Sequence, residues 1–204
     1  MGPKRTVVIN LFAGPGAGKS KLAARLFSEL GFAAHMFGDV EHVPEFAKRL
    51  VWEKRFDDLA NQPFVTKNQL ALQMPMIGEV DFVVTDSPIE LGLVYAKDEY
   101  YGEVRDLIMD ARVQYDTVNI FLERGSIPYR QNGRVESPEK AKEKDDEVKA
   151  MLRREGIEYH TVHNCYDVSS VIAHMVDAVK NGAPVFEIDR ACAIQPGGSR
   201  AMNL

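Results

Sequence analysis

Cysteine is nearly absent from this chain. The 204 residues hold 2, Cys165 and Cys192, without the spacing of a disulfide framework. That excludes a disulfide-stapled secreted scaffold and suits a reducing compartment. Positive charge is not in excess either. Against 30 Asp and Glu stand 25 Lys and Arg, a net charge of −5, so no global field draws nucleic acid and any such contact needs a local basic patch. No apolar run approaches the roughly 20 residues of a membrane span. The opening Met1-Gly2-Pro3-Lys4-Arg5 lacks the apolar core of a signal peptide, so a cytoplasmic location is expected. No internal repeat is visible, and no His/Cys cluster has metal-ligand spacing. Hydrophobic content of 45% and charged content of 27% are ordinary for a globular chain, and the length fits one domain with an ample core.

What is there is concentrated near the start. Ala13-Gly14-Pro15-Gly16-Ala17-Gly18-Lys19-Ser20 reads as a phosphate-binding loop. The apolar run Val7-Val8-Ile9-Asn10-Leu11-Phe12 precedes it as a buried strand. Leu22, Ala23, Leu26, Phe27 and Leu30 follow at helical spacing. Glycines let backbone N–H groups turn onto phosphate oxygens, and the helix N-terminus adds partial positive charge. Gly14, Pro15, Gly16, Ala17, Gly18, Lys19 and Ser20 are therefore the candidate nucleotide binders, with Lys19 on the terminal phosphates and Ser20 on Mg²⁺. One departure stands out. The motif wants Gly first, and this chain has Ala13, a mild change where the local φ is negative.

Strands alternate with helices along the rest. The pattern predicts strands at about 6–12, 39–43, 81–86, 117–123 and 158–162. Helices are expected from Gly18 to about Phe37, from Pro44 to a break at Asn61-Gln62-Pro63, over about 64–77, near 90–97 and 100–114, over 138–154, and at the amphipathic segment from Val168. The fold class is α/β: a five-stranded parallel sheet with helices on both faces. One domain spans about 1–182, and 183–204 reads as a flexible tail. Ligands in such sheets bind beyond the C-terminal strand ends, so the loops there should make the site.

Asp86 ends the third strand, and a carboxylate there holds Mg²⁺ beside the Ser20 hydroxyl. Ser87 is either a substrate hydrogen bonder or a cap of the next turn. Glu45, after the second strand, either takes the proton of an attacking hydroxyl, anchors Mg²⁺ through water, or simply complements a helix N-terminus. Lys48, Trp52 and Arg55 share a face by helical spacing and form either a grip for a phosphate and a base or a solvated stripe with Trp52 in the core. Gln69 lies on an otherwise apolar face with Val65, Leu72 and Met76, where a polar group needs a partner such as a ligand. Arg124, Arg130 and Arg134 lie in the polar segment of about 124–138, placed like a lid over transferred phosphate. The alternative is a solvated loop. The charged helix after it, with Lys140, Lys142, Lys144, Asp145, Asp146 and Glu147, reads as a solvated face, and Cys165 as inert.

The stretches Val7 to Ser20, Val40 to Lys48, Leu50 to Glu53, Val80 to Pro88, and Asn119 to Arg124 with Pro128-Tyr129 and Gly133-Arg134 together resemble phage-encoded P-loop kinases of the 5-hydroxymethyluracil DNA kinase type. These are similar in fold to thymidylate and other nucleotide kinases. The resemblance covers roughly residues 5–165. It implies a three-layer P-loop kinase fold with an Arg-bearing lid, nucleotide binding by Gly14 to Ser20, a metal or catalytic role for Asp86, and a catalytic carboxylate at Glu45. The implied substrates are ATP with Mg²⁺ and DNA carrying a modified pyrimidine, phosphorylated on the way to thymidine hypermodification. Two departures are Lys21, where Thr more often follows the Ser, and Met74-Pro75-Met76, which interrupts a helix that is usually more basic.

Lys19, Glu45, Asp86, Arg124 and Arg130 are thus the expected catalytic residues, with Arg134 joining the nucleotide binders. Lys48, Trp52, Arg55, Gln69 and Ser87 are the expected acceptor binders. A free nucleoside or nucleotide as acceptor is the same-class alternative. A nucleotide-driven P-loop switch is the alternative of another class. No membrane partner is expected.

Overall fold

The computed structural model describes residues 5–124 and 137–180. The expected tail at 183–204, and Arg130 and Arg134 of the expected lid, lie outside the described residues.

Five parallel strands, β1 (Val7–Phe12), β2 (Val40–Val43), β3 (Phe82–Thr85), β4 (Asp116–Leu122) and β5 (His160–Val162), form one sheet in the order β2-β3-β1-β4-β5. The chain order reverses at β1. Its C-terminal end therefore opens into the crevice between the β3 and β4 exits, the place where an open sheet of this kind receives a ligand. β1 is buried along its whole length. Val7, Ile9 and Leu11 pack to one side against α1 (Lys19–Phe32) and the helix Val168–Lys180 that ends the described chain. Val8 and Phe12 pack to the other. Covering both faces is what lets β1 read as a continuous apolar run. Asn10 breaks that run. Its amide donates to Asn119 Oδ1 at 3.0 Å on β4, and the two residues are register partners. Asn119 donates in turn to the Glu158 carbonyl at 3.1 Å. A one-residue slip would strand these buried amides, so the pair pins the β1–β4 register.

Helix boundaries differ from the sequence expectation in several places. The first helix ends at Phe32, and a separate short helix, α2 (Ala34–Phe37), follows. The ladder turns at Ala33, two residues after Gly31, a poor helix former. The second expected helix is two: α3 (Phe46–Trp52) and α4 (Phe56–Ala60). Lys54 between them is left-handed, with φ 58°. Ion pairs stitch the turn: Glu53 accepts from Arg49 at 2.6 Å and Arg55 at 3.2 Å, and Arg55 also reaches Asp58 at 2.6 Å. Asn61-Gln62-Pro63 ends α4 as expected, but α5 (Gln62–Gln73) already starts within it, two residues before the expected 64. Asn61 caps the Phe64 N–H at 3.1 Å, and Pro63 sits in the first turn, where its missing N–H costs nothing. Helix α5 ends at Gln73, short of the expected 77, and Pro75 lies in the single 3-10 turn over Met74–Met76 that follows.

Short helix α6 (Gly92–Tyr95) and α7 (Asp98–Arg112) follow β3. The charged helix α8 (Pro138–Arg154) spans the expected residues, with Ser137 capping the Lys140 N–H at 3.3 Å. The final helix is α9. Among the described residues, no helix is long and apolar enough to cross a membrane.

Candidate active site

The loop between β1 and α1 turns tightly because of its glycines. Gly18, immediately before α1, has φ 109° and ψ 12°, a left-handed conformation that Gly adopts without steric cost. Gly14 is required for a different reason. A Cβ there would lie 2.5 Å from the Ala141 carbonyl and 2.8 Å from both Arg124 Nη2 and Asp145 Oδ1. Helix α8 and the β4 exit thus press directly on the loop.

Lys19, the first residue of α1, folds back over its own loop. Its ammonium donates to the Ala13 carbonyl at 2.7 Å and the Gly14 carbonyl at 3.1 Å. Burial lowers its pKa first of all, and Arg124 adds to that. Glu45, Asp86 and Asp145 act in the opposite sense. Carboxylates from the β2 exit, the β3 exit and α8 therefore converge electrostatically on one lysine. This is the juxtaposition the strand order produces: Glu45, Asp86, the loop and Arg124 follow one another along the C-terminal edge of β2, β3, β1 and β4.

Asp86 is 4% exposed, and its Oδ1 is buried without a hydrogen-bond partner. A carboxylate oxygen without a hydrogen-bond partner beside a glycine-rich loop could hold a divalent cation, and the exposed Ser20 hydroxyl in the first turn of α1 would be its second protein donor. Sequence reasoning missed His42 on β2. Its Nε2 lies 4.0 Å from Asp86 Oδ1 and is likewise buried without a hydrogen bond. The available signal was a polar residue among the valines of a short strand.

Glu45 is half-buried at the N-cap of α3. Gln69, buried on α5, fixes that junction: its Oε1 accepts from the Phe46 N–H at 2.9 Å, and its Nε2 donates to the Pro44 carbonyl at 3.1 Å. The partner required by a polar group on an apolar face is thus the backbone on either side of Glu45. Ser87 is half-buried, and its N–H donates to Thr85 Oγ1 at 3.1 Å.

The expected Lys48–Trp52–Arg55 face does not form as one helical face. Helix α3 ends at Trp52, and Arg55 belongs to the start of α4, tied to Glu53 and Asp58. Trp52 is not in the core. It is 63% exposed, and Phe56 is 53% exposed on the neighbouring helix.

Arg124 follows β4 and is held in place. Its Nη2 donates to the Ala141 carbonyl at 2.5 Å, and both Nε and Nη2 donate to the Asp145 carboxylate. Asp145 thereby leaves the solvated face expected of α8. Buried Ala141, Val148 and Leu152 stand four before, three after and seven after it, so it interrupts the apolar stripe of its helix, and that was the readable signal. Cys165 is free and buried in the core, as expected of an inert thiol.

With this geometry in place, comparison with known proteins identifies the family. A family model described as an AAA domain matches residues 8–167. The chain belongs to the AAA domain family. No curated protein matches it. Among solved structures, it is similar to thymidylate kinase from Ehrlichia chaffeensis, at 11% identity and a TM-score of 0.56, covering 86% of this chain and 99% of that one. It is also similar to the NadR protein in complex with NR, at 15% identity and a TM-score of 0.52, covering 89% of this chain. The match spans only 52%, about half, of the NadR chain. The five-stranded parallel sheet and its helices are thus a P-loop kinase-like fold, matching that of thymidylate kinase.

Proposed function

We propose that this protein is an ATP-dependent phosphotransferase that moves the γ-phosphate to a hydroxyl on a nucleic-acid base. The acceptor that best fits the resemblance is the hydroxymethyl group of 5-hydroxymethyluracil in DNA. The observation that carries the reading is the strand order, which sets Glu45, Asp86 and Lys19 at the neighbouring C-terminal exits of β2, β3 and β1, where both carboxylates favour the charged lysine. A lysine for the terminal phosphates, with carboxylates from two separate strand exits beside it, supplies both a cation anchor and a base for an attacking hydroxyl.

In this reading the loop amides and Lys19 hold the triphosphate. Ser20 and Asp86 would hold Mg²⁺, which when bound neutralises charge on the phosphate oxygens. Glu45 accepts the proton as the acceptor oxygen bonds to phosphorus and the bond to ADP breaks. Gln69 keeps Glu45 in place through its two backbone bonds. Trp52 and Phe56 offer exposed rings for a base, and Lys48 and Lys54 offer exposed ammonium groups for its backbone.

A free nucleoside or nucleotide is the second reading. It is favoured by the net charge of −5 and by the ion pairs that occupy Arg49 and Arg55. The NadR structure, solved with NR, also supports a small acceptor. The deciding experiment supplies γ-labelled ATP and Mg²⁺ with hydroxymethyluracil DNA, ordinary DNA and free nucleosides in parallel. Label on the modified DNA alone is expected. Label on a free nucleoside but not on modified DNA overturns the preferred acceptor.

A further inference from the structure

We propose that Asp145 is a positioning residue of the nucleotide site, holding Arg124 and the first turn of the phosphate-binding loop in one fixed arrangement. The inference rests on the phosphotransferase reading and adds a residue to its donor half.

Four contacts carry it. Asp145 Oδ1 accepts from the Gly14 N–H at 2.5 Å and from Arg124 Nη2 at 3.2 Å. Its Oδ2 accepts from Arg124 Nε. The same Nη2 reaches the Ala141 carbonyl, one helical turn earlier on α8, at 2.5 Å. A two-point carboxylate–guanidinium pair fixes the plane of the arginine as well as its charge. Both side chains are mostly buried, so solvent screening is weak, and either charge left alone there would be unfavourable. The β4 exit, α8 and the loop are three separate elements, and Asp145 is where they meet.

The electrostatics agree with the geometry. Arg124 works against the charged form of Lys19, and Asp145 works in its favour. At the lysine that the triphosphate requires, Asp145 thus offsets the neighbouring arginine. Gly14 belongs to the same arrangement. A side chain there would drive into Asp145, Arg124 and Ala141 together, so the loop residue is Gly because α8 approaches it this closely.

The test is Asp145→Asn, which keeps the shape and removes the charge, beside Arg124→Lys, which keeps the charge and removes the two-point grip. Binding of Mg-ATP is measured by titration without acceptor, then KM for ATP and for acceptor are measured separately. Each variant should weaken ATP binding and raise the KM for ATP by about tenfold, with the acceptor KM within about twofold. The double variant should be no worse than Arg124→Lys alone, because the two act as one unit. Asp145→Asn binding ATP as the wild type does, or losing thermal stability with both KM values unchanged, overturns the inference. Wild-type protein that binds no ATP overturns the phosphotransferase reading instead.

Discussion

Lys19 donates to the Ala13 carbonyl at 2.7 Å, across the turn of its own loop. This contact accounts for the loop's irregular first position. What Lys19 takes from residue 13 is a backbone carbonyl, which every residue has. Among the described residues, Lys54 is the non-glycine with positive φ, so Ala13 is under no left-handed strain. Its methyl is buried in the core beneath α1. Gly14 is the opposite case, since its neighbours leave no room for a methyl. Ala13→Gly should therefore leave ATP affinity within about twofold and cost roughly 0.5–1 kcal/mol through added chain entropy. Gly14→Ala should cost about 1–3 kcal/mol by forcing α8 from the loop. Denaturant unfolding with ATP titration checks both. Equal penalties at the two positions would contradict this account.

Gln69 is expected to act on turnover through Glu45. Gln69→Ala strips partners from the Phe46 N–H and the Pro44 carbonyl, at roughly 1–3 kcal/mol of stability. Loosening the junction should also lower kcat, with ATP affinity nearly unchanged. The two are read from a thermal melt and a kcat measurement at a temperature where the variant is fully folded. A stability loss with unchanged kcat would assign Gln69 to the fold alone.

Trp52 is exposed, so Trp52→Ala should change stability by no more than about 0.5 kcal/mol. If the ring stacks on the acceptor base, the acceptor KM should rise about tenfold, since such stacking is worth about 1–3 kcal/mol. Steady-state kinetics at saturating ATP decide it, and an unchanged acceptor KM removes Trp52 from the site.

Glu90, 1% exposed in the turn that follows β3, has Arg112 at 3.5 Å as its ion-pair partner. Burial raises its pKa above the ordinary carboxyl value, and the hydrogen bond from its own backbone and the Arg112 charge only partly oppose this. Between the unfolded chain's value of about 4.3 and its own higher one, the folded protein keeps a proton that the unfolded chain has released. Stability from this group is full below the unfolded chain's value and is lost as pH rises through the folded-state value. Glu90→Gln should accordingly raise Tm at neutral and alkaline pH, and the gain should shrink on acidification. Melting curves of both proteins across pH test this, and a gain independent of pH would refute it.

The parallel sheet, the loop and the strand-end carboxylates were legible because each has a strong local signature: an apolar run, a glycine pattern, an acid after a strand. Charged helix α8 was legible as an element, but the role of Asp145 was not. Its partners Gly14 and Arg124 are 131 and 21 residues away, and only the packing of α8 against β1 and β4 brings them together. Gln69 shows the same limit. A buried polar residue was visible from periodicity, but not that backbone groups 23 and 25 residues earlier would satisfy it. The split of α3 from α4 was hidden because Lys54, an ordinary helix former, takes a left-handed conformation that neighbouring ion pairs surround.

The most direct measurement follows ADP release and label transfer together in one reaction containing γ-labelled ATP, Mg²⁺ and hydroxymethyluracil DNA. The account predicts one labelled acceptor for each ADP, little ADP without acceptor, and a fall of about 100-fold or more in Lys19→Ala. ADP release at the same rate with and without acceptor, or full transfer by Lys19→Ala, would contradict it.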